Sequence, residues 1–156
     1  MKFTLVSKAF QDGQPIPVQY TGDGRDLSPP LQWSDPPEKT RSFAVVCEDP
    51  DAPRGAWTHW LLLNIPPETR ELNEGVAKSP TLPDGSAQGA NDFGRLGYGG
   101  PAPPPGKPHR YFFKLYALDQ RLELPAGAKK DSVAAALQGH ILAEAQHMGT
   151  YARPPR

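Results

Sequence analysis

Two segments in the first half of the chain are apolar almost throughout. They are residues 42–48 (SFAVVCE) and Trp57–Ile65 (WTHWLLLNI), and each carries apolar side chains at both odd and even positions. A strand with this pattern is covered on both faces, so we predict two central strands of a sheet. Residues 50–56 join them, and so short a connection is typical of antiparallel neighbours.

A third strand is predicted at His109–Leu118 (HRYFFKLYAL), where polar and apolar residues alternate and Arg110 and Lys114 share a face. Residues 2–7 and 16–20 are weaker strand candidates. Residues 66–100 carry many turn-forming residues and are expected to be mostly loop.

One helix is predicted, over residues 131–149 (DSVAAALQGHILAEAQHMG). Asp131 or Ser132 can cap its start, and Gly149 can end it. Its apolar stripe is formed by Val133, Leu137, Ile141 and Met148. No internal repeat or second core is evident, so we expect one mainly-β domain over residues 1–156 with a helix near the C-terminus.

The charge balance argues against nucleic acids and membrane surfaces as binding partners. Lys and Arg together number 17, as do Asp and Glu, so the chain lacks the positive charge of a nucleic-acid-binding surface or a membrane-attracted one. No segment reaches the roughly 20 apolar residues of a membrane span. The single cysteine, Cys47, suits a reducing compartment, and a cytoplasmic location is expected. The 20 prolines fall between the periodic segments, which indicates rigid loops that join short strands.

Candidate chemistry converges at one end of the predicted sheet. If the first two strands are antiparallel, Asp49 at the end of one lies beside Trp57 and His59 at the start of the other. The third strand opens with His109 and Tyr111, after a loop rich in glycine and proline. Imidazoles, a phenol and loop amides are suitable donors for a small oxyanion such as phosphate. We therefore predict an anion pocket at this rim.

Other polar residues have simpler interpretations. Asp51 is expected to fix the loop after the first strand, and Cys47 to be a small buried apolar residue. His140 and His147 lie seven positions apart on the predicted helix, without a carboxylate or thiol at ligand spacing, so they are assigned to packing or to the surface.

Zinc is an alternative occupant of the predicted pocket, because two histidines and Asp49 could supply the ligands. The glycine-rich loop before His109 favours an anion instead. We therefore expect no metal and no cofactor.

Several motifs together resemble the phosphatidylethanolamine-binding protein family, in particular its small bacterial Raf-kinase-inhibitor-like members. They are DPDAP, WTHWLLLN, NDFGRLGYGG and GPAPPPGKPHRYFFKLYALD, and with LSPPLQW and GHILAEAQHMGTY they cover nearly the whole chain. The resemblance implies a large antiparallel sheet packed with a smaller sheet, with peripheral helices that include a C-terminal one.

The resemblance also implies where the ligand binds. One position departs from the pattern, since close bacterial relatives often have cysteine where this chain has Ala102. This departure removes thiol chemistry from the rim and leaves the anion pocket in place. The implied ligand-binding residues are Asp49, Trp57, His59, Gly100, Ala102, Pro103, His109 and Tyr111.

The expected function is binding of phosphate or a phosphorylated lipid head group, with no catalytic residue assigned. His59, His109 and Tyr111 would donate to the anion, the backbone of residues 100–102 would complete the cradle, and Asp49 would orient a histidine or bind a cationic group. Two alternatives stay open: a hydrolase that uses the histidines and Asp49, and a regulator of a kinase or another protein. A homodimer is left open as well.

Overall fold

Two β-sheets form the framework of the protein, whose computed structural model describes residues 2–154. The smaller sheet contains, in spatial order, β1 (Thr4–Val6), β3 (Leu31–Ser34) and β6 (Glu71–Leu72). The larger sheet contains, in spatial order, β2 (Gln14–Pro15), β9 (Ile141–Tyr151), β8 (His109–Leu118), β4 (Ser42–Asp49), β5 (Trp57–Ile65) and β7 (Ala87–Gln88). The predicted mainly-β fold with a large and a small sheet is confirmed.

The central strands β4, β5 and β8 are antiparallel to their neighbours. Strands β4 and β5 are covered on both faces, as their double apolar pattern predicts, whereas alternate residues of β8 are only partly buried. One face packs against the smaller sheet, through side chains that include Phe43, Val45, Phe113, Leu5 and Trp33. The other face is covered by helix α1 (Lys130–Leu137), and this second cluster includes Ala44, Leu61, Leu63, Val133 and Leu137.

The two weaker strand candidates differ in outcome. Residues 2–7 contain β1, but residues 16–20 do not form a strand, and Val18–Tyr20 is a 3₁₀ helix. Pro17 lacks a backbone N–H and lies at the start of that helix, so the ladder between β2 and β9 ends after Ile16 donates to the carbonyl of Thr150.

The predicted helix over residues 131–149 is wrong in its second half. Lys129 rather than Asp131 or Ser132 occupies the N-cap position of helix α1, without a side-chain capping hydrogen bond, and the helix ends at Leu137. Gly139 follows with a φ of 85°, in the left-handed region that terminates helices. Asp131 lies in the first turn of the helix, where its charge complements the helix dipole.

The remainder of that segment is β9, which pairs with β8 from His109 opposite Tyr151 to Leu118 opposite Ile141. Without β9, the backbone donors and acceptors along one edge of β8 would lose their partners, and this requirement overrides the helical propensity of Leu, Ala and Glu. Gly149 is required within the ladder rather than at a helix end, because a Cβ there would collide with Ile16 and Phe10.

His140 and His147 consequently do not share a helix face. His147 is buried in β9, and its Nε2 donates to the carbonyl of Phe10 at 2.8 Å. His140 precedes β9, and its Nδ1 lies 2.9 Å from a carboxylate oxygen of Asp119. These two histidines have separate structural roles.

Candidate functional site

A cavity of about 200 Å³ opens where β4 ends and where β5 and β8 begin. The structure brings together every predicted site residue except Gly100. The lining residues are Asp49, Ala52, Pro53, Trp57, His59, Phe93, Ala102, Pro103, Pro104, His109 and Tyr111. The antiparallel arrangement of the three strands therefore places the two histidines at one rim, as the sequence pattern predicts.

A β-bulge in β5 determines which way His59 points. Cys47 pairs with Trp60 and Glu48 pairs with Thr58, so His59 is an extra residue with no partner of its own on β4. Trp60 belongs to the core between the sheets, and Thr58 lies on the α1 side. The bulge turns His59 to the same side as Trp60, where it reaches the cavity together with Trp57.

Asp49 is buried at the end of β4 and has both carboxylate oxygens engaged. Its Oδ2 lies 2.6 Å from Nδ1 of His109, and its Oδ1 accepts the backbone N–H of Asp51 at 2.7 Å. An ionised carboxylate only accepts, so Nδ1 of His109 carries a proton and Nε2 is the nitrogen left for a ligand. Asp49 thus orients a histidine, the first of its two expected roles.

His59 is held in a similar way by a different acceptor. Its Nδ1 donates to the carbonyl of Gly99 at 2.6 Å, and the N–H of Gly99 donates back to the carbonyl of His59. The rings of Phe93 and Tyr111 pack edge-on against the imidazole. Burial lowers the pKa of His59, and the Gly99 carbonyl and the Asp49 carboxylate oppose this shift only in part.

Tyr111 contributes a protonated phenol to the cavity. Burial raises the pKa of Tyr111, and the negative charge of Asp49 raises it further. Among residues 2–154 no hydrogen-bond partner of the Tyr111 hydroxyl is found, so the group is available as a donor or an acceptor.

The loop before β8 differs from the expected backbone cradle. The N–H of Gly100 donates to Oδ1 of Asp26 at 2.6 Å, so it is already used within the protein. Pro101 and Pro103 have no N–H. Within this stretch, the amide of Ala102 is therefore the backbone donor that remains for a ligand at the rim.

Asp51 fixes the loop between β4 and β5, as its position beside proline suggests. Its carboxylate accepts the backbone N–H, Nε and Nη2 of Arg110, each at 2.9 Å. The side-chain hydrogen bond from Arg110 is the main reason that the pKa of Asp51 is lowered to about 2. Arg110 is thereby tied to the loop and does not line the cavity.

Comparisons with known proteins establish the family of the chain. The family model described as phosphatidylethanolamine-binding protein matches residues 6–152. The chain belongs to this family. A UPF0098 protein of Methanothermobacter thermautotrophicus is 52% identical over 149 residues, covering 96% of this chain and 98% of the relative.

Two Escherichia coli proteins extend the likeness. The UPF0098 protein YbhB is 42% identical over 90% of this chain and 94% of its own length. The crystal structure of YbcL, described as a new member of the mammalian phosphatidylethanolamine-binding family, matches with a TM-score of 0.91 and 35% identity, covering 98% of this chain and 99% of that one. The family resemblance inferred from the sequence motifs is confirmed.

Among the described residues that line the cavity, four were not predicted from the sequence, namely Ala52, Pro53, Phe93 and Pro104, and Phe93 is the largest of them. Phe93 lies in the NDFGRLGYGG motif, and its ring contacts the rings of Trp57 and His59 with centroid separations of 5.6 and 5.3 Å. The available signal for Phe93 was a large apolar residue in a loop that also contains Leu96 and Tyr98. Such a residue is easily read as an isolated surface aromatic, because loops carry no periodicity that would assign a face.

The zinc alternative requires the two imidazoles and Asp49 to share one ion. In this protein, the Asp49 carboxylate instead accepts hydrogen bonds from Nδ1 of His109 and the backbone N–H of Asp51, while Nδ1 of His59 donates to the carbonyl of Gly99. Over residues 2–154, no group of three or more histidine, cysteine or acidic side chains has the geometry of a metal site.

Cys47 lies in the core and is fully buried, and burial raises the pKa of its thiol well above the usual value. None of the helices in the described part of the chain has the length and apolar character needed to span a bilayer.

Proposed function

We propose that this protein binds a small oxyanion, either a phosphate or a phosphorylated head group, in the cavity between Asp49, His59, His109 and Tyr111. The observation that carries the proposal is the His109–Asp49 hydrogen bond of 2.6 Å at the cavity wall. It holds the imidazole so that Nε2 is free, and this nitrogen donates to an anion whenever the ring carries its second proton.

The size of the cavity supports a small ligand. Its volume of about 200 Å³ is below the roughly 300–1,000 Å³ of pockets that enclose drug-sized molecules. A phosphate with a short substituent fits such a space, whereas acyl chains would have to stay outside. The printed name of the family refers to phosphatidylethanolamine, whose head group contains a phosphate.

The hydrolase alternative receives less support. Asp49 and His109 form the kind of pair that can act as a general base. However, no serine, threonine or cysteine is found among the described lining residues, and the raised pKa of Tyr111 makes its hydroxyl a poor nucleophile. A screen of the purified protein for turnover of phosphoesters and acyl esters tests this alternative directly.

The proposals for a protein partner and for the cellular location do not rest on the cavity. Regulation of a kinase or another protein rests on the family resemblance alone, and a pull-down followed by identification of the captured protein tests it. The cytoplasmic location rests on the single cysteine, and cell fractionation tests it.

Isothermal titration with inorganic phosphate tests the binding function. The wild-type protein should bind phosphate, and His109→Gln should weaken the affinity about tenfold, because one charge-assisted hydrogen bond is lost. His140→Gln is the matched control, since that histidine interacts with Asp119 and lies outside the cavity. The absence of phosphate binding to the wild type, with the protein folded, would contradict the proposal.

A further inference from the structure

The hydrogen-bond partners of the two cavity histidines define which kind of atom each presents to a ligand. A carbonyl oxygen can only accept, so the 2.6 Å contact between Nδ1 of His59 and the oxygen of Gly99 assigns the ring proton to Nδ1. In the neutral ring, Nε2 then has a lone pair and no hydrogen. Among residues 2–154, no partner of this Nε2 is found.

The burial of His59 favours the neutral form of its ring. His59 is 3% exposed, its ring contacts the rings of Phe93 and Tyr111, and burial is the main cause of its lowered pKa. No lysine or arginine is found among the described residues that line the cavity. The charged and titratable groups that act on His59 or share its cavity are Asp26, Asp49, Asp92, His109 and Tyr111.

These contacts set a chemical requirement on the occupant. An oxyanion without a proton would bring an oxygen lone pair against the lone pair of Nε2, and both would remain unsatisfied in a buried space. An oxyanion that carries a hydroxyl can donate it to Nε2, while its other oxygens accept from the Tyr111 hydroxyl and, whenever the His109 ring carries its second proton, from Nε2 of His109. The cavity therefore contains an acceptor and donors side by side.

We infer that the cavity selects a phosphate group that still carries a P–OH, and that Nε2 of His59 accepts this proton in a hydrogen bond. This inference rests on the proposed oxyanion-binding function and narrows its ligand class. Inorganic phosphate retains a P–OH across the neutral range. A phosphomonoester retains one only as the monoanion, below its second pKa of about 6, and a phosphodiester has none.

Phosphate and sulfate at pH 8 form the sharpest test, because hydrogen phosphate and sulfate then have the same charge and nearly the same shape. They differ in one proton. Isothermal titration of the wild-type protein should give an affinity for phosphate at least about tenfold higher than for sulfate, the effect of leaving one buried acceptor unpaired. Equal affinities would overturn the inference and leave the oxyanion-binding function intact. Binding of neither anion would overturn both.

Small phosphate esters separate a free phosphate ligand from a lipid head group. Methyl phosphate should bind at pH 6 and weaken toward pH 8, because it loses its P–OH over this interval. Dimethyl phosphate, which represents the diester of a glycerophospholipid head group, should bind at least about tenfold more weakly than inorganic phosphate at both pH values. Dimethyl phosphate that binds as tightly as inorganic phosphate would overturn the inference.

A substitution at His59 gives an independent test. In His59→Gln the side-chain amide offers N–H donors as well as an acceptor, so the ratio of phosphate to sulfate affinity at pH 8 should fall toward one. His140→Gln should keep the wild-type ratio. A wild-type ratio in folded His59→Gln would contradict the assigned role of Nε2.

Nuclear magnetic resonance of the wild-type protein keeps the inference testable if His59→Gln does not fold. The ¹⁵N shifts of the His59 ring should show a protonated Nδ1 and an unprotonated Nε2 at pH 7 to 8. A proton on Nε2 would overturn the inference, because the ring could then donate to sulfate as readily as to phosphate.

Discussion

The two ends of strands β4, β5 and β8 carry concavities of very different character. At one end lies the cavity of about 200 Å³. Asp49 and His59 are buried there, and each makes a hydrogen bond with another group of the protein: Asp49 with His109, and His59 with the carbonyl of Gly99. At the other end lies a wider and more open concavity of about 1,110 Å³. Its lining residues are Glu38, Lys39, Thr40, Arg41, Pro67, Asp119, Gln120, Arg121 and Glu123.

The comparison shows that neither size nor charge count identifies the better candidate site. The wide concavity carries three acidic and three basic side chains, but all of them are exposed and their interactions are screened by water. In the small cavity a few polar groups are desolvated and fixed in direction, so each hydrogen bond to a ligand has a larger effect on affinity. Preorganisation distinguishes the two ends.

Among the substitutions that test this difference between the two ends, removal of the Asp49 carboxylate should have the largest effect on stability. Asp49→Ala leaves the Nδ1–H of His109 and the N–H of Asp51 without their acceptor, so we expect the free energy of unfolding to fall by about 3 kcal/mol. Urea denaturation measures this change. Glu38→Ala at the wide concavity is the control and should stay within about 0.5 kcal/mol of wild type. Equal effects at both ends would mean that Asp49 is not a structural anchor.

The pH dependence of stability gives a smaller effect. Burial lowers the pKa of His59, so below the unfolded value of about 6.5 the unfolded chain binds more protons than the folded one. The contribution of His59 is therefore fully present above pH 6.5 and is lost as the pH falls below it.

In denaturation measurements between pH 5 and 7, His59 should contribute a slope of at most about 1.4 kcal/mol per pH unit. His59→Gln should lack this contribution, whereas Gln120→Ala at the opposite end should keep it. A slope that persists unchanged in His59→Gln would show that other groups produce it.

The smallest effect is expected at the wide concavity. Arg121→Gln removes one of its exposed cations and should change both the free energy of unfolding and the phosphate affinity by less than about 0.5 kcal/mol. Calorimetry at 150 mM salt measures the affinity. A loss of phosphate binding in Arg121→Gln would move the anion site to this end of the sheet and reverse the comparison.

The sequence pattern was most informative where burial and chain connectivity act together. Both faces of β4 and β5 are apolar, so these strands had to lie inside the sheet, and the short connection between them brings Asp49 next to Trp57. The convergence of the cavity residues followed from this antiparallel pairing. This holds for the strand residues; the loop residues Ala102 and Pro103 came from the family resemblance, and Phe93 was not predicted.

Residues 141–151 show where local pattern is insufficient. Their Leu, Ala and Glu content favours a helix, but the length of β8 requires a partner strand, and ten residue pairs between β8 and β9 meet that requirement. The glycine that ends α1, Gly139, was present in the sequence as a stop signal. The predicted segment thus contained the actual end signal, Gly139, ten residues before the predicted end at Gly149.

The sequence by itself determined the mainly-β fold, the central strands and the strand residues that meet at one rim, because hydrophobic burial and short connections leave few alternatives. Only the tertiary structure decided the direction of each polar atom. The bulge that turns His59 inward, the carbonyl of Gly99 that holds its Nδ1 proton and the carboxylate of Asp26 that occupies the N–H of Gly100 all depend on pairing between distant segments. Whether a side chain donates or accepts is set by its partners, and these partners are assembled only when the chain folds.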